Sequence, residues 1–349
     1  MKNLAHSLLP RHLARLLENT SEADLPDQTS RAIAPAPFVV QGSVGAPIVL
    51  ASPHSGQFYP EAFVQNSRQP LSVLRSGEDS HIHLLAEQAH ALGPALLHAT
   101  FPRVFCDVNR GAWDLDTRMF HGPIPAFVRP TERGLAGLGS IPRIVGNRKP
   151  IYRHRLPFME AALRIRHYWM PYHAMLADML DKTRAKHGTC LLLDLHSMPD
   201  VPEAASPDFV LGDAHGTTCH PDIISTAEQT LQSLGFRTTR NQPYAGGYIT
   251  RHYGRPPPNP PAPPIGTAEQ TLQSLGFRTT RNQPYAGGYI TRHYGRPLQN
   301  LHALQIEMRR SLYMDEETHI CHAGFAPLSN ALATLTEKFL KLFPASHGL

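Results

Sequence analysis

One stretch of this 349-residue chain occurs twice. The 31 residues TAEQTLQSLGFRTTRNQPYAGGYITRHYGRP run from Thr226 to Pro256 and recur unchanged from Thr267 to Pro297. The ten residues between the copies, 257–266, include six prolines. Two units are too few for a stacked-repeat architecture, which needs three or more neighbours to complete a core. A globular fold has one slot for such a helix-strand-loop unit, so about 41 residues must be carried outside it. Loops absorb insertions of this kind and strands do not. The expected arrangement keeps the helix of the first copy, joined to its upstream context. It takes the TRHYGRP end from the second copy, joined to the strand that follows, with 257–266 an extended polyproline-type spacer.

The duplication also explains the charge. The chain carries +5 with a pI near 9.1, and each copy holds four arginines and one glutamate. A single-copy chain would carry only +2, so nucleic acid is not an expected partner. No stretch approaches the roughly 20 apolar residues that cross a bilayer, so no membrane association is expected. Residues 1–36 lack the continuous apolar core of a secretory signal and read as a partly helical or flexible extension. Four scattered cysteines (Cys106, Cys190, Cys219 and Cys321) form no CxxC pair, which points to reduced, buried thiols and a cytoplasmic protein.

The remainder, 37–349, reads as one α/β domain. Apolar runs ending in polar residues mark buried parallel strands whose C-terminal ends face a crevice. They are PIVLA (47–51), TCLLLDL (189–195), FVLGD (209–213) and LHALQIEM (301–308). Helical periodicity falls at 79–92, 158–187, 223–234 and near 328–343. The alternation predicts a three-layer sandwich around a mostly parallel or mixed sheet. Residues 111–150, rich in Gly, Pro and Arg, read as an irregular excursion, either a substrate wall or mere connection.

Several side chains in this frame can carry chemistry. His54, in SPHSG, follows a strand and is either structural or a ligand. Glu78 and Asp79 stand at a helix start, where a carboxylate either caps the helix or ligates. Asp194 and His196 share one face of an apolar strand, and burying both costs free energy unless something pairs them. A divalent metal reconciles these three sites, since catalytic zinc takes three His or Asp/Glu ligands and leaves a position open. The HExxH and GxSxG motifs are absent. Glu307 ends an apolar strand and either pairs with Arg309 or Arg310 or serves as a general base. Asp107 and Arg110 follow a strand in FCDVNR, and Arg292 and Arg296 follow a glycine pair; arginine forks suit carboxylates.

Taken in order, a set of strings spanning roughly 37–340 resembles the N-formylglutamate amidohydrolase family. They are SPHSGQFYP, RSGEDSHIHLLAEQA, FPRVFCDVNR, MFHGPIP, GLGSIPRIV, PIYRHRL, YWMPYHAML, LLLDLHSMP, DFVLGD, NQPYAGGYITRHYGRP and HALQIEMRRSLYMDE. The resemblance implies a fold distantly similar to zinc carboxypeptidases and aspartoacylases. It implies a divalent metal, zinc, on His54, Asp79 (or Glu78) and His196, with Glu307 as general base. It implies hydrolysis of a small N-formyl or N-acyl amino acid, N-formyl-L-glutamate giving formate and L-glutamate, in histidine degradation. Asn109, Arg110, Tyr289, Arg292 and Arg296 would then hold the substrate. The duplication strikes this last motif, because Tyr248, Arg251 and Arg255 are its equivalents in the first copy. The second copy is preferred, since Pro297 leads directly into the Glu307 strand. Rival readings are a deacylase for another N-acyl amino acid, and an inactive relative that only binds a dicarboxylate.

Overall fold

The computed structural model describes residues 35–146, 148–200, 207–244 and 300–343. The whole second copy of the repeat and the distal part of the first lie outside these residues, as does 1–34. So do Tyr248, Arg251, Arg255, Tyr289, Arg292 and Arg296.

Seven strands form the central sheet: β1 (Phe38–Gln41), β2 (Ile48–Ser52), β3 (Ala95–Ala99), β4 (Cys190–Met198), β5 (Phe209–Gly212), β6 (Thr238–Arg240) and β7 (Leu301–Arg309). Their spatial order is β1-β3-β2-β4-β7-β5-β6. The four central strands run parallel, and β1 and β5 pair antiparallel with β3 and β7. The sheet is therefore mixed. FVLGD, expected among the parallel strands, runs against its neighbour β7 and pairs in parallel only with the edge strand β6. Burial on both faces gives antiparallel and parallel strands the same apolar pattern, so the sequence cannot distinguish them.

After two short helices at Glu61–Asn66 and Leu71–Arg75, the helices that frame the sheet and site are α1 (Ile82–Leu85), α2 (Glu87–His90), α3 (Glu132–Leu135), α4 (Phe158–Arg164), α5 (Met170–His187), α6 (Pro221–Ser233) and α7 (Phe325–Leu342). A wider π turn, Ile165–Trp169, joins α4 to α5 within what reads as one helix. Successive residues of a strand point to opposite faces, and the two cores divide accordingly. Val49, Ala51, Leu97, Leu192 and Ala303 pack with Ile165, Tyr172, Leu176 and Leu180 on the α4–α5 side. Ile48, Leu50, Leu193, Leu304 and Ile306 pack with Ile82, Leu85, Ala227, Leu231, Leu332 and Phe339 on the other. The result is three layers.

This alternation places the polar groups. Asp194 and His196 continue the Leu192 face of β4, while Gln305 and Glu307 continue the Ala303 face of β7. The parallel register sets Gln305 opposite Asp194 and Glu307 opposite His196. The first repeat copy supplies the C-terminal part of α6 and the edge strand β6, as expected for its helix. Cys106, Cys190 and Cys219 are buried thiols, but Cys321 is exposed, and all four are free. Among the described residues no helix is long and apolar enough to cross a membrane.

Candidate metal centre

Three loops converge where β2, β4 and β7 end. His54 lies just past β2 in the SPHSG turn. The turn needs its glycine, because a Cβ on Gly56 would meet the Phe101 carbonyl oxygen at 2.3 Å. The Asp79 amide donates to the His54 carbonyl (3.0 Å), tying the second loop to the first. The Asp79 carboxylate does not cap a helix. The helix expected from residue 79 begins at Ile82, after His81 in a left-handed conformation (φ 65°), and breaks again at Ala86. Asp79 instead reaches inward.

Asp79 Oδ2 lies 3.3 Å from His54 Nδ1 and 3.0 Å from His196 Nδ1. Its other oxygen, Oδ1, accepts from Ser197 Oγ (3.3 Å) and Arg310 (3.4 Å). Both imidazoles are anchored on their far side. His54 Nε2 is 2.8 Å from Asp107 Oδ1, and His196 Nε2 is 3.0 Å from Asp194 Oδ1 and from the Asn109 side-chain amide. All three central side chains are buried, and one ligand atom from each lies within 4.8 Å of the others. Glu78 faces elsewhere: Tyr59, Arg75 and Ser80 hold its carboxylate at 2.8, 3.1 and 2.7 Å. Of the two acidic candidates, only Asp79 stands between the histidines.

The chemistry of this donor set suits a divalent cation. Carboxylates on both Nε2 atoms fix the tautomer that leaves each Nδ1 lone pair directed at the centre, an arrangement that supports metal-binding histidines. Charge points the same way. Asp79, Asp107, Asp194 and Glu307 are buried together, with Arg103 and Arg310 ion-paired to them and Arg110 close to Asp107. Burial pushes the His196 imidazole down, yet Asp194 and Asp79 overcome it and hold it well above its ordinary value. Burial, with Asp79 and Asp194 nearby, raises the Glu307 carboxyl to about 7. Asp79 and Asp107 are pushed up by burial but stay well below the carboxylate range. Hydrogen bonds from His196 and His54 hold Asp79 there, and the charges of His54 and Arg103 hold Asp107.

Glu307 lines a cleft of about 140 Å³ over this cluster, with Arg103, Asn109, Arg110, Arg133, Tyr244 and Gln305 among its other walls. Gln305 Nε2 donates to Glu307 Oε1 at 2.8 Å. The simple salt-bridge role for Glu307 does not hold: Arg309 pairs with Asp208, and Arg310 with Asp79 and Glu316. Asn109 and Arg110 reach the cleft, though from turns rather than from a strand end. The preceding strand stops at Ala99, and the Asp107 carboxylate itself braces His54 and accepts from the Asn109 amide (2.8 Å). Arg103, Arg133, Tyr244 and Gln305 were missed by sequence reasoning. Arg103 had a detectable signal, its four-residue spacing from Asp107; Arg133 sits on the short helix α3 within the excursion 111–150, and Tyr244 lies in the first copy of the quoted string NQPYAGGYITRHYGRP.

Comparisons with known proteins identify the family. The sequence model of the N-formylglutamate amidohydrolase family matches residues 46–265 and 265–314. An N-formylglutamate deformylase from Pseudomonas aeruginosa is 26% identical over 302 residues, covering 84% of this chain and 91% of that protein. One from Pseudomonas putida is 29% identical over 217 residues, covering 60% and 75%. The crystal structure of an N-formylglutamate amidohydrolase from Ralstonia eutropha JMP134 superposes with a TM-score of 0.71 at 34% identity, covering 88% of this chain and 99% of that one. The gene product Atu2144 from Agrobacterium tumefaciens shares the fold at 14% identity and a TM-score of 0.55, covering 89% and 97%. The chain belongs to the N-formylglutamate amidohydrolase family and is an amide-hydrolysing enzyme.

Proposed function

We propose that this enzyme hydrolyses the formyl amide of N-formyl-L-glutamate to formate and L-glutamate, and that the reaction depends on a divalent metal, zinc, held by His54, Asp79 and His196. The observation that carries the reading is Asp79 Oδ2 between two Nδ1 atoms whose rings are each locked by a separate buried carboxylate. A cation bound there supplies Lewis acidity, polarising a carbonyl oxygen and lowering the pKa of a water.

The protein's own groups do the remaining work. Glu307, in register with His196 on the adjacent strand β4, takes a proton from the attacking water in this reading. It then returns that proton to the amide nitrogen as the C–N bond breaks. A carboxyl raised by burial is suited to both halves of this exchange, since it binds and releases a proton near neutrality. Asn109 and Arg110 stand on the same cleft wall, where they orient the amino-acid part of the substrate and so place the formyl carbon over the metal-binding floor.

The test is formate release from N-formyl-L-glutamate by purified enzyme, before and after chelation, with metal content measured in parallel. Loss on chelation and recovery with zinc is expected. Undiminished turnover by metal-free protein would remove the metal from the reading, and turnover of other N-acyl amino acids alone would remove the substrate.

A further inference from the structure

Among the described residues four arginines reach the cleft, and they are not equivalent. Arg103 is bound to Asp107 (3.1 Å), and Arg310 to Ser197 (3.0 Å) and Asp79. Arg110 donates to the carbonyls of Leu138 and Asn109, both at 2.9 Å. Arg133 is exposed at the cleft rim, and its side chain makes no hydrogen bond or ion pair among the described residues.

The backbone beneath Arg133 is tightly held. The buried Asp114 carboxylate accepts from Thr131 N (2.7 Å) and Thr131 Oγ1 (2.8 Å), and that hydroxyl accepts from Gly134 N (3.2 Å), capping α3. A Cβ on Gly134 would lie 2.0 Å from Asp114 Oδ1, so α3 is seated on the carboxylate without room for a side chain. The Leu138 amide donates to the Arg133 carbonyl (2.9 Å), and the Leu138 carbonyl accepts from Arg110 Nε. Arg110 and Arg133 thus stand on one braced frame. Burial, which Asp107 and Asp114 only partly offset, pushes the Arg110 guanidinium below its ordinary value, and the like charges of Arg103 and Arg133 add to the push. An anion between the two arginines would relieve that repulsion.

We infer that Arg133 is a specificity-determining residue that receives the side-chain carboxylate of a dicarboxylic N-acyl amino acid. The α-carboxylate adjoins the amide and belongs with Arg110, whose neighbour Asn109 touches His196 at the floor. The distal carboxylate then falls at the rim. This rests on the deformylase reading of the same site.

The experiment compares wild type with Arg133→Met on N-formyl-L-glutamate and on N-formyl-L-glutamine, its uncharged isostere. For the glutamate substrate, kcat/KM should fall about 10- to 100-fold, mostly through KM, as expected for losing a charge-assisted contact. For the glutamine substrate the change should stay within about threefold. Equal losses on both substrates, or no loss on either, would overturn the role of Arg133. A wild type indifferent between the two would overturn it as well, while leaving the deformylase reading standing. If wild type releases formate from neither, that reading fails, and calorimetry of L-glutamate and L-glutamine binding decides Arg133 alone. A glutamate preference lost in Arg133→Met supports it, and no preference, or one retained, overturns it.

Discussion

Among the described residues two histidine pairs stand face to face, and only one of them is surrounded by carboxylates. His54 and His196 have ring centroids 4.8 Å apart; His83 and His98 stack at 4.5 Å with planes 17° apart. The spacing is nearly the same, but the surroundings are opposite. Around the first pair, Asp79, Asp107 and Asp194 lie within hydrogen-bonding distance of all four ring nitrogens. The second pair, packed between α1 and β3, has no carboxylate at its nitrogens among the described residues, and His83 Nδ1 is buried without a hydrogen bond. Burial, with His98 and His81 nearby, pushes His83 down to about 4, and burial lowers His98 as well. Proximity of imidazoles does not make a metal site. The carboxylates that set the tautomer and the charge do.

Substitutions can break this contrast in order of size. The largest effect is expected at Glu307, the carboxylate in register with His196. Glu307→Gln should lower kcat about 10²- to 10⁴-fold with metal content unchanged, the range for removing a general acid–base group. Turnover near that of wild type would end its assignment as base. Next come the outer carboxylates: Asp194→Asn and Asp107→Asn should weaken zinc affinity about 10- to 100-fold while the protein stays folded. Competitive chelator titration measures this, and unchanged affinity would mean that those carboxylates only fill space.

The smallest effect belongs to the second pair. His83 has a folded pKa of about 4 against an ordinary 6.5, so between these values the folded protein binds fewer protons than the unfolded chain. Stability should therefore fall as pH drops from 6.5 towards 4. Replacing His83 with Asn should remove on the order of 1–2 kcal/mol of that pH dependence, partial exposure holding it below the full linkage value. Urea unfolding at pH 7 and pH 5 would show it, with formate release at pH 7 unaffected. Equal losses in wild type and variant would mean that His83 is already relaxed towards solvent.

Asp194 and His196 were legible because β-structure sends alternate residues to one face, and a polar pair on an otherwise apolar strand must find partners. Glu307 was legible for the same reason. Choosing Asp79 over Glu78 was beyond local pattern. A helix start offered both the same role, and only the inward turn at His81 directs one carboxylate to the histidines and leaves the other with Tyr59, Arg75 and Ser80.

The sequence by itself determined the strand-helix alternation, the family, and the polar groups stationed at the strand ends, because these follow from chain periodicity and short motifs. It also showed that 31 residues occur twice without change. Tertiary structure alone decided the direction of β5, the bracing of each imidazole by Asp107 and Asp194, and the seating of Arg133 beside Arg110. Each of these depends on contacts between segments tens of residues apart, where burial and unpaired charge, rather than local preference, select the partner.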